Sequence, residues 1–334
     1  MTNQIEVAGP WITVEDEAIV LDALRNGWYG DKKYYYVEKF EKDFAAYHGR
    51  KYALMTPSCT TALHLLLEGI GVNETHEVIA PECTWIGSTA CIKYQRAKTV
   101  FADIDSQHWC LTKESIERVL SDKTKAVIAV DLYGNMPDWD ALTDFCSNNN
   151  IVLIEDAAEA LGSQYKGIKA GKFGTASVFS FHRTKTITTG EGGMLLLDDD
   201  ELFERCKFLR DHGRDPGTYY NTEVTFKYMP FNLQAALGFS QFQRIDQLLE
   251  KKLSILHGYK DRLKSVEDIY LNHEPDHVIN GAWASALVFG KSHNMTSFDA
   301  IEKLQRLNVP SRPFFFPLSS LPAYPDDPDV SRLL

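Results

Sequence analysis

No apolar run in this 334-residue chain approaches the roughly 20 residues a helix needs to cross a bilayer. The opening MTNQIEVAGPWITVEDEAIV also lacks the basic stretch and apolar core of a secretory leader, so a soluble, cytoplasmic protein is expected. Positive charge is scarce: 35 Lys and Arg stand against 46 Asp and Glu, a formal net charge of −11, which argues against a nucleic-acid partner. Cysteine is scarce too, with six residues, no CxxC pair and no histidines at zinc-finger spacing. That excludes a disulfide scaffold and a structural metal site, so no metal is expected and the thiols are read as buried and reduced. Internal repeats and low-complexity tracts are also missing.

What remains is ordinary globular composition, 44% hydrophobic and 24% charged, in a chain too long for a single core. Short apolar runs alternate with helical patterns. Val78–Ala80, Val127–Val130, Ile151–Ile154, Val178–Phe181 and Met194–Leu197 read as buried strands, too short to be independent helices. Val37, Phe40, Phe44 and Tyr47 recur at helical spacing before Gly49, and TALHLLLE follows the hydroxyl-rich Ser58-Cys59-Thr60. This alternation predicts an α/β fold with a mostly parallel sheet between helices, in which ligands gather beyond the C-terminal strand ends. From Asn232 the pattern predicts one long helix, NLQAALGFSQFQRIDQLLEKK, bridging to a second unit. The expected division is a large domain over 1–245 and a smaller α+β domain over 246–334, with an irregular proline-rich tail.

Two segments carry chemistry. In IVLIEDAAEALGS an apolar strand runs into Glu155-Asp156, whose plain reading is a helix cap. In SVFSFHRTKTITTGEGGMLLLDD a strand leads to Ser180, His182 and Lys185, then a glycine-rich turn and another strand. Lysine is seldom buried without purpose, and a desolvated lysine is a nucleophile for carbonyls. Together the segments supply what pyridoxal phosphate needs: a lysine for the imine, an acid for the pyridine nitrogen, and a helix N-terminus for the phosphate. The GEGG at 190–193 lacks Walker spacing and reads as a tight turn. His182 reads as a packing residue or a base, and Trp85 equally as core or as a plate against a ring.

At these residues the chain resembles the DegT/StrS-type sugar aminotransferases, among the fold-type I pyridoxal-phosphate enzymes. The likeness lies in SFHRTKTITTGEGGML, EDAAEALGS, PSCTTALHLLL, VDLYGNMPDWDAL, RDHGRDP, FNLQAALGFSQFQRID, the opening PWIT and the late PSRPFFFPL. The resemblance implies Lys185 as the imine lysine, Asp156 against the pyridine nitrogen, Glu159 against the phenolic oxygen and Trp85 as the stacking aromatic. It implies Cys59, Thr60 and Ser180 as the phosphate cradle; many members have glycine at Cys59, but the donor there is a backbone N–H. Lys227 aligns where many members carry an asparagine that reaches the neighbouring subunit's phosphate, so a homodimer with shared sites is implied. His182 and Arg312 are weaker candidates for substrate contact.

The wording KTITTGEGGML is most similar to perosamine-synthase-like members, which aminate C4 of a nucleotide-linked 4-keto-6-deoxy sugar. The implied substrate is GDP-4-keto-6-deoxymannose, with UDP- or dTDP-linked sugars as the alternative and glutamate as the implied amino donor. The implied setting is surface-polysaccharide and O-antigen biosynthesis. A sugar dehydratase of the same family would carry histidine in place of Lys185, and a non-catalytic regulator has no need of that lysine. An amino-acid transaminase would want an arginine clamp, for which Arg210, Arg214 and Arg312 are available. Members usually continue past PFFxPL with a further strand and helix, whereas this chain stops at Leu334, so the smaller domain is expected to lack its end.

Overall fold

The computed structural model describes residues 7–215 and 217–324; the end of the expected irregular tail, 325–334, lies outside them. Short aliphatic runs become strands: β1 Tyr52–Thr56, β2 Glu77–Pro81, β3 Lys98–Ala102, β4 Thr124–Val130 and β5 Val152–Asp156. The small β6 Gln164–Tyr165 and β7 Ile168–Lys169 follow, then β8 Ala176–Ser180 and β9 Gly193–Leu197. The main sheet has seven strands in the order β1-β9-β8-β5-β4-β2-β3. Pairings from β3 across to β8 are parallel, and β9 runs antiparallel to both β8 and β1. The expected mostly parallel sheet is therefore present, with one reversed strand. The sequence pattern missed β1 (YALMT) and β3 (KTVFA), whose apolar stretches are brief and begin beside charged or aromatic residues.

Ten helices complete the described chain: α1 Val14–Asn26, α2 Tyr35–Tyr47, α3 Cys59–Gly69, α4 Gly87–Tyr94, α5 Lys113–Val119, α6 Trp139–Asn148, α7 Asp200–Arg210, α8 Asn232–Phe242, α9 Ile245–Leu263 and α10 Ser297–Arg306. Side chains alternate across each strand, so the sheet feeds two cores. Leu54, Val78, Ile128, Ile154, Val178 and Leu195 pack in one, with Leu63 and Leu66 of α3 and Ile92 of α4. Met55, Ile79, Val127, Leu153, Phe179 and Leu196 pack in the other, with Phe40 and Phe44 of α2 and Trp139 of α6.

The single long helix expected from Asn232 is broken into α8 and α9 at Gln243–Arg244. Arg244 leaves helical geometry (φ −120°) and pairs with the buried Asp16 at 2.8 Å, a tertiary ion pair that the local pattern does not encode. Beyond α9, strands β10 Ile269–Leu271 and β12 Leu287–Phe289 pair antiparallel. Between them, β11 Val278–Ile279 joins β6 instead, which stitches this late segment to the main body. No helix among the described residues is long and apolar enough to cross a membrane.

Candidate active site

Strands β2, β4, β5 and β8 finish at one end of the sheet, and the functional candidates gather there. Asp156 is the last residue of β5 and is 2% exposed. No α-helix follows it; instead its Oδ1 accepts the Ala158 N–H at 3.1 Å, so the cap reading gives way to a turn. Its Oδ2 accepts the Ser88 hydroxyl at 2.7 Å, and the Cys59 thiol approaches Oδ1 at 3.9 Å. Burial raises the Asp156 pKa, opposed by the Ser88 and Ala158 bonds and by the charge of Lys185. A buried carboxylate of this kind gains from a positive partner beside it.

Lys185 lies on the segment between β8 and β9. That segment is closed on itself: Phe181 N–H donates to the Gly192 carbonyl and Arg183 N–H to that of Gly190, both at 2.8 Å. Gly190 sits at φ +82°, a backbone of the hand that suits glycine, and the chain bends at Gly190–Glu191 before β9 begins at Gly193 instead of closing a tight turn over GEGG. Lys185 Nζ donates to Glu159 Oε1 at 3.2 Å and lies 3.7 Å from the centre of the Trp283 ring. Glu159 is fixed in turn, since its Oε2 accepts the Tyr133 N–H at 2.9 Å. Burial raises the Glu159 pKa, and Lys185 is the first of the influences that lower it. Tyr133 holds φ +54°, an uncommon backbone state for a bulky residue, and strain of this kind concentrates at functional sites.

Helix α3 aims its N-terminus into the same region. Ser58 caps it, accepting the Thr61 N–H at 3.1 Å, while the first-turn N–H groups at Cys59 and Thr60 are of the kind left without intrahelical partners. Ser180 pairs in register with Gly193, and a Cβ on Gly193 would lie 2.5 Å from Cys59 N. That close approach requires glycine and sets Ser180 beside the helix end. A Cβ on Gly87 would meet Thr60 Oγ1 and Trp85 Cδ1, each at 2.9 Å, so Trp85 borders it too. Trp85 itself is exposed, with its ring 6.1 Å from that of Phe315.

The structure thus brings together Lys185, Glu159, Asp156, Cys59, Thr60, Ser180 and Trp85. His182 is half-buried, held by the Thr184 hydroxyl at 3.0 Å and facing Glu191 at 3.8 Å; burial lowers its pKa. Arg312 is exposed, with its charge felt by both His182 and Tyr133. Lys227 is half exposed and paired with Asp211, apart from the Glu159–Lys185 pair. Of the other arginines weighed as a carboxylate clamp, Arg210 is committed to Glu41 at 2.6 Å and Arg214 to Asp211 at 2.6 Å. Sequence reasoning missed Ser88, Tyr133, Trp283, Phe314 and Phe315. Phe314 and Phe315 lie 4.8 and 5.6 Å from the Tyr133 ring. Ser88 had a signal available, a hydroxyl in the WIGSTA stretch that follows a strand, and Tyr133, Phe314 and Phe315 lie in the VDLYGNMPDWDAL and PSRPFFFPL segments that carry the family likeness.

Comparison with known proteins places this geometry in context. The DegT/DnrJ/EryC1/StrS aminotransferase family matches residues 10–333. GDP-perosamine synthase of Caulobacter vibrioides is 35% identical over 325 residues, covering 96% of this chain and 87% of that protein. Among solved structures, the sugar aminotransferase Spr1654 of Streptococcus pneumoniae in its PMP-form superimposes with a TM-score of 0.88 at 26% identity, covering 96% of this chain and 88% of that one. Its PLP-form gives 0.87 at 25%, covering 96% and 87%. The chain belongs to the DegT/DnrJ/EryC1/StrS aminotransferases, a family of pyridoxal-phosphate-dependent enzymes.

Proposed function

We propose that this enzyme transfers the amino group of glutamate to C4 of a nucleotide-linked 4-keto-6-deoxy sugar, with GDP-4-keto-6-deoxymannose favoured over UDP- and dTDP-linked sugars. The carrying observation is the Lys185–Glu159 contact of 3.2 Å at the strand end that also holds the buried Asp156. The name borne by the Caulobacter relative supports the choice of sugar.

The residues suit the cofactor. Lys185 would bond it and Asp156 would pair with its ring nitrogen, the positive partner that a buried carboxylate favours. Glu159 would meet the phenolic oxygen, and Trp85 would cover one ring face. The first turn of α3 at Cys59 and Thr60, with Ser180, would receive the phosphate, as helix N-termini receive anions. When bound, the cofactor accepts the electron pair of the substrate's C–H bond. Glu159 keeps the Lys185 amine at the site by its hydrogen bond. Freed from the cofactor, Lys185 Nζ acts as base and then acid, moving the proton at the substrate carbon. His182 and Arg312 flank the approach as substrate contacts.

Lys227 reaching a neighbouring subunit's phosphate fits a homodimer with shared sites. The exposed aromatic pair Trp28 and Phe231, packed edge to face at 5.8 Å while each is half exposed, offers a surface for that second copy. Residues 1–245 form the cofactor domain in this reading and 246–334 the smaller one. The setting is the cytoplasmic supply of amino sugar for a surface polysaccharide such as O-antigen.

The test has two stages. The purified protein with pyridoxal phosphate should show a visible band that borohydride removes and that Lys185→Ala lacks, with kcat lower by about 10³-fold or more. Incubation with glutamate and GDP-, UDP- and dTDP-4-keto-6-deoxy sugars, followed by mass spectrometry, should yield an amino sugar from the GDP form first. Amination of none of them would sink the sugar assignment and leave the cofactor assignment standing.

A further inference from the structure

The Lys185 amine has two neighbours of different kinds, a carboxylate and an indole. The carboxylate belongs to Glu159, 26 positions earlier in the chain. The indole belongs to Trp283, almost a hundred residues later, with its ring centre 3.7 Å from Nζ. That ring is immobilised. Trp283 Nε1 donates to the Thr184 carbonyl at 2.8 Å, so the indole is tied to the residue preceding the lysine. The Trp283 carbonyl accepts from Lys252 Nζ of α9 at 3.0 Å. One face of its ring system lies against Tyr133, 5.5 Å away and inclined by 25°.

The segment around it is fastened to the main body with equal thoroughness. Gly281 N–H donates to Ser163 Oγ at 2.8 Å, and Asn280 Nδ2 to Asn135 Oδ1 at 2.7 Å. Asn272 Nδ2 reaches the carbonyls of Tyr133 at 2.8 Å and Ala284 at 3.0 Å, and its Oδ1 accepts the Ala286 N–H at 2.8 Å. Such bracing is out of proportion to holding one half-buried tryptophan in a core. It delivers an aromatic face to one amine.

Building on the aminotransferase reading above, we infer that Trp283 is a positioning residue for Lys185, setting where its amine lies through the face of the ring. An ammonium is attracted to an indole face, most of all where water is excluded. The Lys185 side chain is only 12% exposed. With Glu159 accepting its hydrogen bond and the ring within 3.7 Å, the flexible four-carbon stem is left few places to put Nζ. Trp283 thereby supports two acts of Lys185: bonding the cofactor, and moving the proton once freed.

The test uses the full-length protein as Trp283→Leu and Trp283→Phe. Two rates are read without any sugar present: the return of the visible band when pyridoxal phosphate is added to cofactor-stripped protein, and the single-turnover loss of that band on adding glutamate. Trp283→Leu should slow both by about tenfold, the scale of a desolvated cation–ring contact. Trp283→Phe keeps a ring face and should stay within about threefold of the parent, while KM for the sugar moves little in either variant. Unchanged rates in Trp283→Leu with a raised sugar KM would overturn the inference and make Trp283 a substrate contact. Equal slowing in both variants would also overturn it, assigning the effect to the Thr184 bond instead of the ring face. If Trp283→Leu loses its cooperative melt, Lys252→Met decides: slower rates at an unchanged Tm support the role, and unchanged rates reject it. A parent protein that forms no visible band would refute the cofactor reading itself, an outcome distinct from all of these.

Discussion

Strand β5 ends in two adjacent acids that face opposite sides of the sheet, and the two sides use a carboxylate differently. Glu155 turns toward the core that contains Trp139 and Phe173. Its oxygens accept the N–H groups of Gly171 at 2.7 Å and Phe173 at 2.9 Å, with the charge of Arg50 nearby. Asp156 turns toward α3 and α4, where it accepts the Ser88 hydroxyl and lies within the field of Lys185. Glu155 spends both oxygens on fixed backbone donors of its own chain. Asp156 has one oxygen on a side-chain hydroxyl and the other shared between a turn N–H and a distant thiol, so its partners are weaker and less fixed than those of Glu155. Burial alone therefore does not mark a functional acid; the kind of partner does.

Substitutions sharpen that contrast. Asp156→Asn should lower kcat by about 10²–10³-fold, as losing one preorganised electrostatic partner does, with the melting temperature little changed. Glu155→Ala should do the reverse. Two buried N–H groups lose their acceptor and Arg50 its neighbour, which costs on the order of 2–5 kcal/mol in denaturant unfolding while activity per folded molecule persists. Equal loss of activity from both would erase the distinction.

A finer test uses pH. Burial, above all, lifts the Glu155 pKa from 4.5 to about 7, and the neighbouring Asp131 is also raised, by burial and then by the charge of Glu155. The native chain thus keeps protons that the unfolded chain releases. The Glu155 contribution to stability is complete below pH 4.5 and is lost as pH rises through about 7. Glu155→Gln should flatten this decline by on the order of 3 kcal/mol, leaving the part due to Asp131. Unfolding free energies measured from pH 4.5 to 8 in the two proteins check it. The smallest effect expected is from Ser88→Ala, which strips one hydrogen bond from Asp156 and should cost about fivefold in kcat, or about 1 kcal/mol, with Glu155 untouched.

Legibility in the sequence followed the range of the interactions. The segments EDAAEALGS and FHRTK could be read because each joins a buried strand to charged residues within a few positions. The strands β2, β4, β5, β8 and β9 announced themselves as compact apolar runs for the same reason. Trp283 could not be found this way: GAWASAL has no distinctive neighbours, and its bond to Thr184 spans 99 positions. The break between α8 and α9 was hidden because its cause, Asp16, lies at the other end of the chain from Arg244. The residues alone read Trp85 equally as core or as plate, and the family resemblance chose the plate; the structure leaves it exposed beside Thr60.

The reversed strand β9 has a further consequence. Because the chain doubles back next to β8 instead of crossing over the sheet, the stretch bearing Lys185 is a short tether clamped at both stems. Adding or deleting a residue within 181–192 would displace the amine directly, with no helix in between to absorb the change. The reach of this one amine is therefore set by a tether of fixed length.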